Sequence, residues 1–226
     1  MHLPARPMRN EFMTYTVKEI FHTLQGEGIN TGRASVFCRF SGCNLWSGLE
    51  KDRLHAQCKF CDTDFVGFNG PSGGRFENPK LLAKAIAACW PDNNENPFVV
   101  CTGGEPLLQV DGALIDALHN EGFEVAVETN GTQPAPAGET GGLDWICVSP
   151  KAGCALKLKT GDELKVIFPQ SGLDLKELES LKFSNFLIQP MDGTEAQKNT
   201  KLAIEYCRNH PIWRLSLQTH KFLGIP

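Results

Sequence analysis

The run Val99-Val100-Cys101-Thr102-Gly103-Gly104-Glu105-Pro106 joins an apolar segment to a turn that holds two glycines, an acid and a proline. The apolar part predicts a short buried strand over Phe98–Cys101. The glycines let a ligand approach the backbone closely, and Glu105 offers a carboxylate at the carboxyl edge of a sheet, where α/β folds bind ligands. An ordinary connection between a strand and a helix would contain the same Gly-Gly and Pro, so this run alone does not identify a site.

Strand-like and helix-like segments alternate on both sides of this run. Asn78-Pro79 predicts a helix N-cap with proline at the first helical position, followed by the helix LLAKAIAACW. The other predicted strands are Tyr15–Phe21, Ala34–Phe40, Phe123–Glu128, Leu143–Ser149, Leu164–Phe168, Asn185–Gln189 and Trp213–Leu217. The other predicted helices cover Leu114–Leu118, ending near Gly122, then Lys176–Leu181 and Ala196–Cys207. This rhythm predicts an α/β fold with a mostly parallel sheet and helical crossovers.

Two segments interrupt the alternation. Ser41–Arg75 is too long for an ordinary loop and is rich in cysteine and aromatic residues, which is typical of a functional insertion. Thr132–Gly142 is rich in Pro, Gly and Ala and is expected to be only a surface connection. The chain is therefore interpreted as an extension at 1–13 and a single domain at 14–226 with an insertion at 41–75.

The insertion contains three cysteines, Cys43, Cys58 and Cys61, separated by fourteen and by two residues. Three thiolates can hold three irons of a cubane cluster and leave the fourth iron open. They can equally hold zinc, with His55 of the same loop or water as the fourth ligand. On this segment alone the two readings stay open. The remaining six cysteines are scattered and are expected to be packed thiols of the core: Cys38, Cys89, Cys101, Cys147, Cys154 and Cys207.

Composition argues against several classes of protein. The 226 residues carry a net charge of −4, which argues against a protein that binds nucleic acid through its phosphates. No apolar run approaches the length of a membrane span, and the N-terminus has no apolar segment of the kind found in secretory signals. Nine cysteines at irregular spacings make a poor disulfide framework, so a cytoplasmic location is expected.

Three early cysteines followed by Gly-Gly-Glu-Pro after a strand resemble the radical S-adenosylmethionine superfamily. The usual spacing there is Cys-x3-Cys-x2-Cys, and the fourteen-residue gap departs from it as one branch does, the 7-carboxy-7-deazaguanine synthase family. Other segments resemble that family as well. They are Thr23-Leu24-Gln25-Gly26-Glu27-Gly28, Ser41-Gly42-Cys43-Asn44-Leu45, Cys58-Lys59-Phe60-Cys61-Asp62-Thr63, Glu128-Thr129-Asn130-Gly131, Ser149-Pro150-Lys151 and Gln189-Pro190-Met191-Asp192.

The resemblance implies a partial (β/α) barrel and a set of site residues. Cys43, Cys58 and Cys61 would ligate a [4Fe–4S] cluster, and Thr63, flanked by Asp62 and Asp64, would ligate Mg²⁺. S-adenosylmethionine would be bound by Gly103, Gly104, Glu105, Glu128, Thr129, Asn130, Ser149, Lys151, Gln189, Met191 and Asp192. The substrate would be bound by Leu24, Gln25, Gly26, Glu27, Arg39, Thr102 and Pro226, whose terminal carboxylate would accept hydrogen bonds. Without the resemblance, Gln25 and Glu27 would be interpreted as ordinary polar residues of a loop, and Arg39 as a surface charge on an edge strand.

The resemblance also implies the reaction: radical ring contraction of 6-carboxy-5,6,7,8-tetrahydropterin to 7-carboxy-7-deazaguanine with loss of ammonia, in queuosine biosynthesis. A flavodoxin or ferredoxin-like protein would donate the electron, and the enzyme would be a homodimer without nucleic-acid or membrane partners. Two other functions are compatible with parts of this pattern. A glycyl-radical activase would normally show the x3 spacing, and a zinc-stabilised binding module would purify colourless with zinc rather than brown with iron.

Overall fold

A computed structural model describes residues 14–91 and 95–226. The strands are β1 (Tyr15–Leu24), β2 (Ala34–Phe40), β3 (Gly74–Phe76), β4 (Phe98–Gly103), β5 (Glu124–Thr129), β6 (Trp145–Val148), β7 (Thr160–Phe168), β8 (Lys182–Pro190) and β9 (Trp213–Leu215). The α-helices are α1 (Pro79–Ala87), α2 (Gly112–Asn120), α3 (Leu175–Leu178), α4 (Ala196–Asn209) and α5 (Thr219–Leu223). Two short 3₁₀ helices cover Glu50–His55 and Pro106–Leu108. The extension predicted at 1–13 lies outside the described residues.

The strands form one sheet in the order β3-β1-β2-β4-β5-β6-β7-β8-β9. Strands β2 and β4 through β9 run parallel, whereas β1 pairs antiparallel with both β2 and β3. The prediction of a mostly parallel sheet with helical crossovers is confirmed, and the open sheet is the partial barrel that the resemblance implied. All predicted strands are present, with shifts of a few residues at their ends.

Helices cover one face of the sheet, and the hydrophobic core lies between these helices and the sheet. Side chains of β2 and β4 such as Val36, Cys38 and Cys101 are fully buried there against Leu82 and Leu114 of the first two helices. Asn78 caps α1 by accepting a hydrogen bond from Leu81 N at 3.0 Å, as its sequence predicted. The third predicted helix is shorter than expected and covers only Leu175–Leu178. No helix in the described part of the chain is long and apolar enough to cross a membrane.

The prediction that six scattered cysteines are core thiols is mostly correct. Cys38, Cys101 and Cys147 are buried, and Cys89 and Cys207 pack against the core while partly buried. Cys154 is the exception, because it lies half-buried in a turn after β6 and outside the main core cluster. Its place in an irregular loop, rather than on an alternating strand, explains why burial did not follow from residue type.

The segment Thr132–Gly142 was also expected to be only a surface connection. This expectation is wrong for its first residue, Thr132. Thr132 is buried, and its hydroxyl accepts a hydrogen bond from Asn44 Nδ2 at 2.8 Å. It therefore ties the cysteine-bearing insertion to the end of β5.

Candidate active site

The inner face of the partial barrel encloses a cavity of about 400 Å³, within the usual size range of small-molecule sites. The cavity is reached from the carboxyl ends of the parallel strands, and its lining comes from β1, β2, the insertion, the strand ends and the C-terminal segment. Every predicted site residue except Glu105 lines it. Residues that are 200 positions apart in sequence thus meet in one chamber.

The three clustered cysteines lie together in the wall of this cavity. Cys58 N donates to Leu45 O at 3.3 Å, which attaches the Cys58–Cys61 turn to the segment that follows Cys43. Arg53 of the 3₁₀ helix holds the same turn from outside, because its Nη1 donates to Cys61 O at 3.1 Å. His55, the alternative zinc ligand, is exposed and does not line the cavity.

The chemistry of three thiols suits a cubane cluster. In the described part of the chain no three Cys, His, Asp or Glu side chains gather closely enough to hold one metal ion. A cubane does not need such convergence, because each thiolate binds a different iron. Cys43, Cys58 and Cys61 would hold such a cluster at the cavity wall.

The Gly-Gly-Glu-Pro turn packs directly against the cysteine loop. Gly104 N donates to Phe40 O at 3.2 Å, and Glu105 N donates to Gly42 O at 2.9 Å. A side chain at Gly104 would overlap Gly42 O and lie 2.9 Å from Cβ of Cys43. Glycine is therefore required here for the close approach of two loops as well as for a ligand.

Glu105 does not face the cavity, in contrast to the expectation that it offers a carboxylate to a ligand. Its side chain is 0% exposed and accepts hydrogen bonds from Leu107 N, Thr129 Oγ1 and Asn130 N at 2.9, 2.7 and 2.8 Å. Burial nevertheless raises the pKa of Glu105 above its ordinary value. The carboxylate joins the glycine turn to the end of β5, and so supports the cavity from behind.

The strand ends on the far side present the remaining predicted cofactor residues. Ser149, Lys151, Gln189, Met191 and Asp192 all line the cavity. Lys151 Nζ donates to Ser149 O at 2.6 Å and to Ser149 Oγ at 2.8 Å. Burial lowers the pKa of Lys151, against the opposing effect of Cys58 and Cys61.

Thr63 lies in the cavity wall beside the cysteines, between two aspartates that lysines already engage. Lys221 Nζ lies 2.6 Å from Asp62 Oδ2, and Lys18 Nζ lies 2.9 Å from Asp64 Oδ2. Of these three adjacent oxygen-bearing side chains, Thr63 is the one without a lysine partner.

At the other end of the cavity, polar residues of the β1–β2 loop meet side chains from distant strands. Gln25 Nε2 donates to Glu128 Oε1 at 3.3 Å, and Glu27 Oε2 lies 2.7 Å from Lys165 Nζ. Burial would raise the pKa of Glu27, but the charge of Lys165 and several hydrogen bonds lower it to about 2. Gln25 and Glu27 are thus fixed members of a buried polar set, not free loop residues.

Arg39 is not a surface charge on an edge strand, which is how it would be interpreted without the resemblance. Strand β2 lies between β1 and β4, and Arg39 points into the cavity. Its Nε donates to Glu19 Oε1 at 2.7 Å, which leaves the outer guanidinium nitrogens for a ligand.

The C-terminal segment closes the opening between the two ends of the barrel. Thr219 N donates to Gly26 O at 2.9 Å, and Thr23 Oγ1 donates to Pro226 O, also at 2.9 Å. Pro226, His220, Gln218 and Lys221 line the cavity as a result.

Sequence reasoning missed several lining residues, among them Lys165, Gln218, His220 and Lys221. Lys165 had a signal that was not used: it is a lone charge within the apolar strand Leu164–Phe168, and such charges need a buried partner. The other three lie in a C-terminal segment whose local pattern carries no such signal.

Comparisons with known proteins identify the family of this chain. The chain is 62% identical over 213 residues to the 7-carboxy-7-deazaguanine synthase of Bradyrhizobium diazoefficiens, covering 94% of this chain and 100% of that protein. It is 58% identical over 214 residues to that of Burkholderia multivorans, covering 95% and 100%. The crystal structure of QueE from Escherichia coli superposes with a TM-score of 0.68 at 28% identity, covering 92% of this chain and 95% of that one. No protein-family model matches the chain. By its sequence and fold, this chain belongs to the 7-carboxy-7-deazaguanine synthase family of radical S-adenosylmethionine enzymes.

Proposed function

We propose that this chain converts 6-carboxy-5,6,7,8-tetrahydropterin to 7-carboxy-7-deazaguanine and ammonia, as a radical S-adenosylmethionine lyase of 7-deazapurine biosynthesis. The observation that carries the proposal is one cavity that joins a three-cysteine wall to a polar chamber lined by Glu27, Arg39 and the C-terminus. The reaction balances as loss of one NH₃ from the substrate without net oxidation.

Cys43, Cys58 and Cys61 would hold an iron–sulfur cluster, which when bound would supply the electron for radical formation from S-adenosylmethionine. The chain's own residues must then exclude water and hold the substrate near the resulting radical, since a primary alkyl radical attacks most neighbours. The C-terminal segment performs this exclusion by sealing the side of the barrel beside Gly26 and Thr23.

Charge and hydrogen bonding orient the substrate within the chamber. The free guanidinium nitrogens of Arg39 face the cavity and suit the substrate carboxylate as a bidentate partner. Glu27 and the Pro226 carboxylate are acceptors that suit the amino group and ring N–H of an aminopyrimidinone. Thr102, at the end of β4, lies between this chamber and the glycine turn.

Magnesium, the electron donor and the oligomeric state complete the proposal. Thr63 would offer its hydroxyl oxygen, a hard ligand of the kind that Mg²⁺ prefers. A flavodoxin or ferredoxin-like protein supplies the electron, and the enzyme acts as a homodimer. The magnesium ligand rests on the resemblance of the Cys58–Thr63 segment to the family, and the electron donor and the homodimer rest on membership of the family alone.

The test is anaerobic incubation of reconstituted enzyme with the pterin, S-adenosylmethionine, Mg²⁺ and dithionite, followed by mass spectrometry of the products. The wild-type enzyme is expected to release 7-carboxy-7-deazaguanine. Cys58→Ala should lose both turnover and the broad visible absorption of the cluster, whereas the matched variant Cys101→Ser should keep both, because Cys101 is buried on the helix-covered face. Absence of product from brown, reducible wild-type enzyme would contradict the proposal.

A further inference from the structure

Lys165 is a buried cation that bridges two carboxylates from separate parts of the chain. Its side chain is 3% exposed, and its Nζ lies 2.7 Å from Glu27 Oε2 and 3.0 Å from Glu128 Oε2. Glu27 follows β1, Glu128 lies in β5 and Lys165 lies in β7. All three line the cavity.

Amide side chains restrain the second oxygen of each carboxylate. Gln218 Nε2 donates to Glu27 Oε1 at 2.9 Å, and Gln25 Nε2 donates to Glu128 Oε1 at 3.3 Å. Each carboxylate is therefore held at both oxygens. Further hydrogen bonds join Gln189 to Glu27 and Cys147 to Glu128, and both carboxylates still line the cavity. Two negative charges and one positive charge leave a net charge of −1 on this group.

We propose that Lys165 is a positioning residue that keeps Glu27 and Glu128 ionised as a paired acceptor for the N–H donors of the pterin. This inference rests on the proposed substrate. An aminopyrimidinone edge presents an amino group and ring N–H groups, so a carboxyl group that carried a proton would oppose donor with donor. The positive charge of Lys165 prevents that mismatch.

Other charged groups near Lys165 cannot replace it. Glu163 of the same strand adds a further acid, and burial together with Glu128 raises its pKa to about 7. Burial lowers the pKa of His220 on α5, so this imidazole is a poor source of positive charge. The thiol of Cys147 on β6 has its pKa raised by burial and stays neutral.

Lys221 also lines the cavity, but its Nζ lies 2.6 Å from Asp62 Oδ2. Lys151 is directed elsewhere as well. Its Nζ hydrogen-bonds Ser149, and it interacts electrostatically with Cys58 and Cys61. Without Lys165, Glu27 and Glu128 would lose the cation that both contact, and the repulsion between the two largely buried negative charges would favour binding of a proton by the pair.

The test compares Lys165→Met with the matched control Lys182→Met, whose lysine is exposed at the start of β8. Equilibrium binding of the pterin to oxidised holoenzyme is measured from pH 6 to 9, together with kcat under dithionite. At pH 7, Lys165→Met should weaken binding about 10- to 100-fold, the range for lost hydrogen bonds to charged groups. Its Kd should fall as pH rises and the shared proton leaves, while Kd of the wild type and of Lys182→Met should stay level. A weaker but pH-independent Kd would overturn the proposal, as would unchanged binding.

A double variant, Lys165→Met/Glu128→Gln, covers the case in which the single variant does not fold. It removes one carboxylate along with the cation, so it should fold and bind the pterin weakly with no pH dependence. A double variant with Kd still falling as pH rises would overturn the proposal. Failure of the proposed function is distinguishable, because wild-type enzyme would then cleave S-adenosylmethionine with dithionite but neither bind nor convert the pterin.

Discussion

Gly104 is the residue at which the glycine turn and the cysteine loop come closest. An added Cβ would overlap Gly42 O and lie 2.6 Å from Gly42 C and 2.9 Å from Cβ of Cys43. Two of these neighbours are backbone atoms that no side-chain rotation can move. Gly104→Ala must therefore push the cysteine loop outward by roughly 1 Å to restore ordinary contact distances.

The cost follows from two effects. Overpacking of this kind costs about 1–3 kcal/mol, and loss of the Glu105 N to Gly42 O hydrogen bond adds about 1 kcal/mol. Together they lower the free energy of unfolding by about 2–4 kcal/mol. For a chain of this size that corresponds to a fall in Tm of about 5–15 °C. Because the backbone of Gly104 does not have positive φ, an alanine pays no separate conformational penalty there.

The assay is thermal unfolding of the cluster-free protein by circular dichroism, followed by anaerobic reconstitution and iron counting. The matched control is Gly142→Ala, because a Cβ there meets only Pro136 O, at 4.0 Å. Gly104→Ala should unfold earlier than the control and retain less iron, since Cys43 is displaced with its loop. If both variants unfold at the same temperature and bind equal iron, the close approach of the two loops is refuted.

Three further predictions follow from the same site. A short polar tag after Pro226 should raise KM for the pterin at least about tenfold relative to the same tag before Met1, since a free terminal carboxylate is a fixed acceptor; equal kinetics would exclude that role. Thr63→Ala should increase the Mg²⁺ concentration needed for half-maximal turnover while the visible cluster spectrum stays intact, and an unchanged requirement would remove Thr63 from the metal site. Burial and Glu128 raise the pKa of Glu163 from 4.5 to about 7, so its contribution to stability is full below about pH 4.5 and is lost as pH rises through 7. As pH rises from 4.5 to 8, the free energy of unfolding of Glu163→Gln should therefore increase relative to that of the wild type, by on the order of 2 to 3 kcal/mol, measured by urea unfolding. If the two free energies change with pH in parallel, the raised pKa of Glu163 is contradicted.

The sequence by itself determined the strand order along the chain and the nature of the site. Short apolar runs separated by helical segments predict parallel β–α units, because parallel strands need a long crossover connection, which is usually a helix. Asn78-Pro79 predicted the start of α1, because helix capping depends on only a few neighbouring residues. Cys-x2-Cys and Gly-Gly-Glu-Pro are equally local, and together they indicated the family, although neither motif identified a site by itself.

Only the tertiary structure decided which charges meet. Lys165 bonds residues 138 and 37 positions away, and no local pattern specifies such partners. Glu105 was expected to face a ligand, but its carboxylate accepts hydrogen bonds from Thr129 Oγ1 and Asn130 N at the end of β5 and from Leu107 N of its own turn. From its own sequence context, without the family resemblance, Arg39 would be a charge on an edge strand, but β2 lies between β1 and β4. Burial and pairing depend on how strands are ordered in the sheet, and this ordering is a property of the folded chain as a whole.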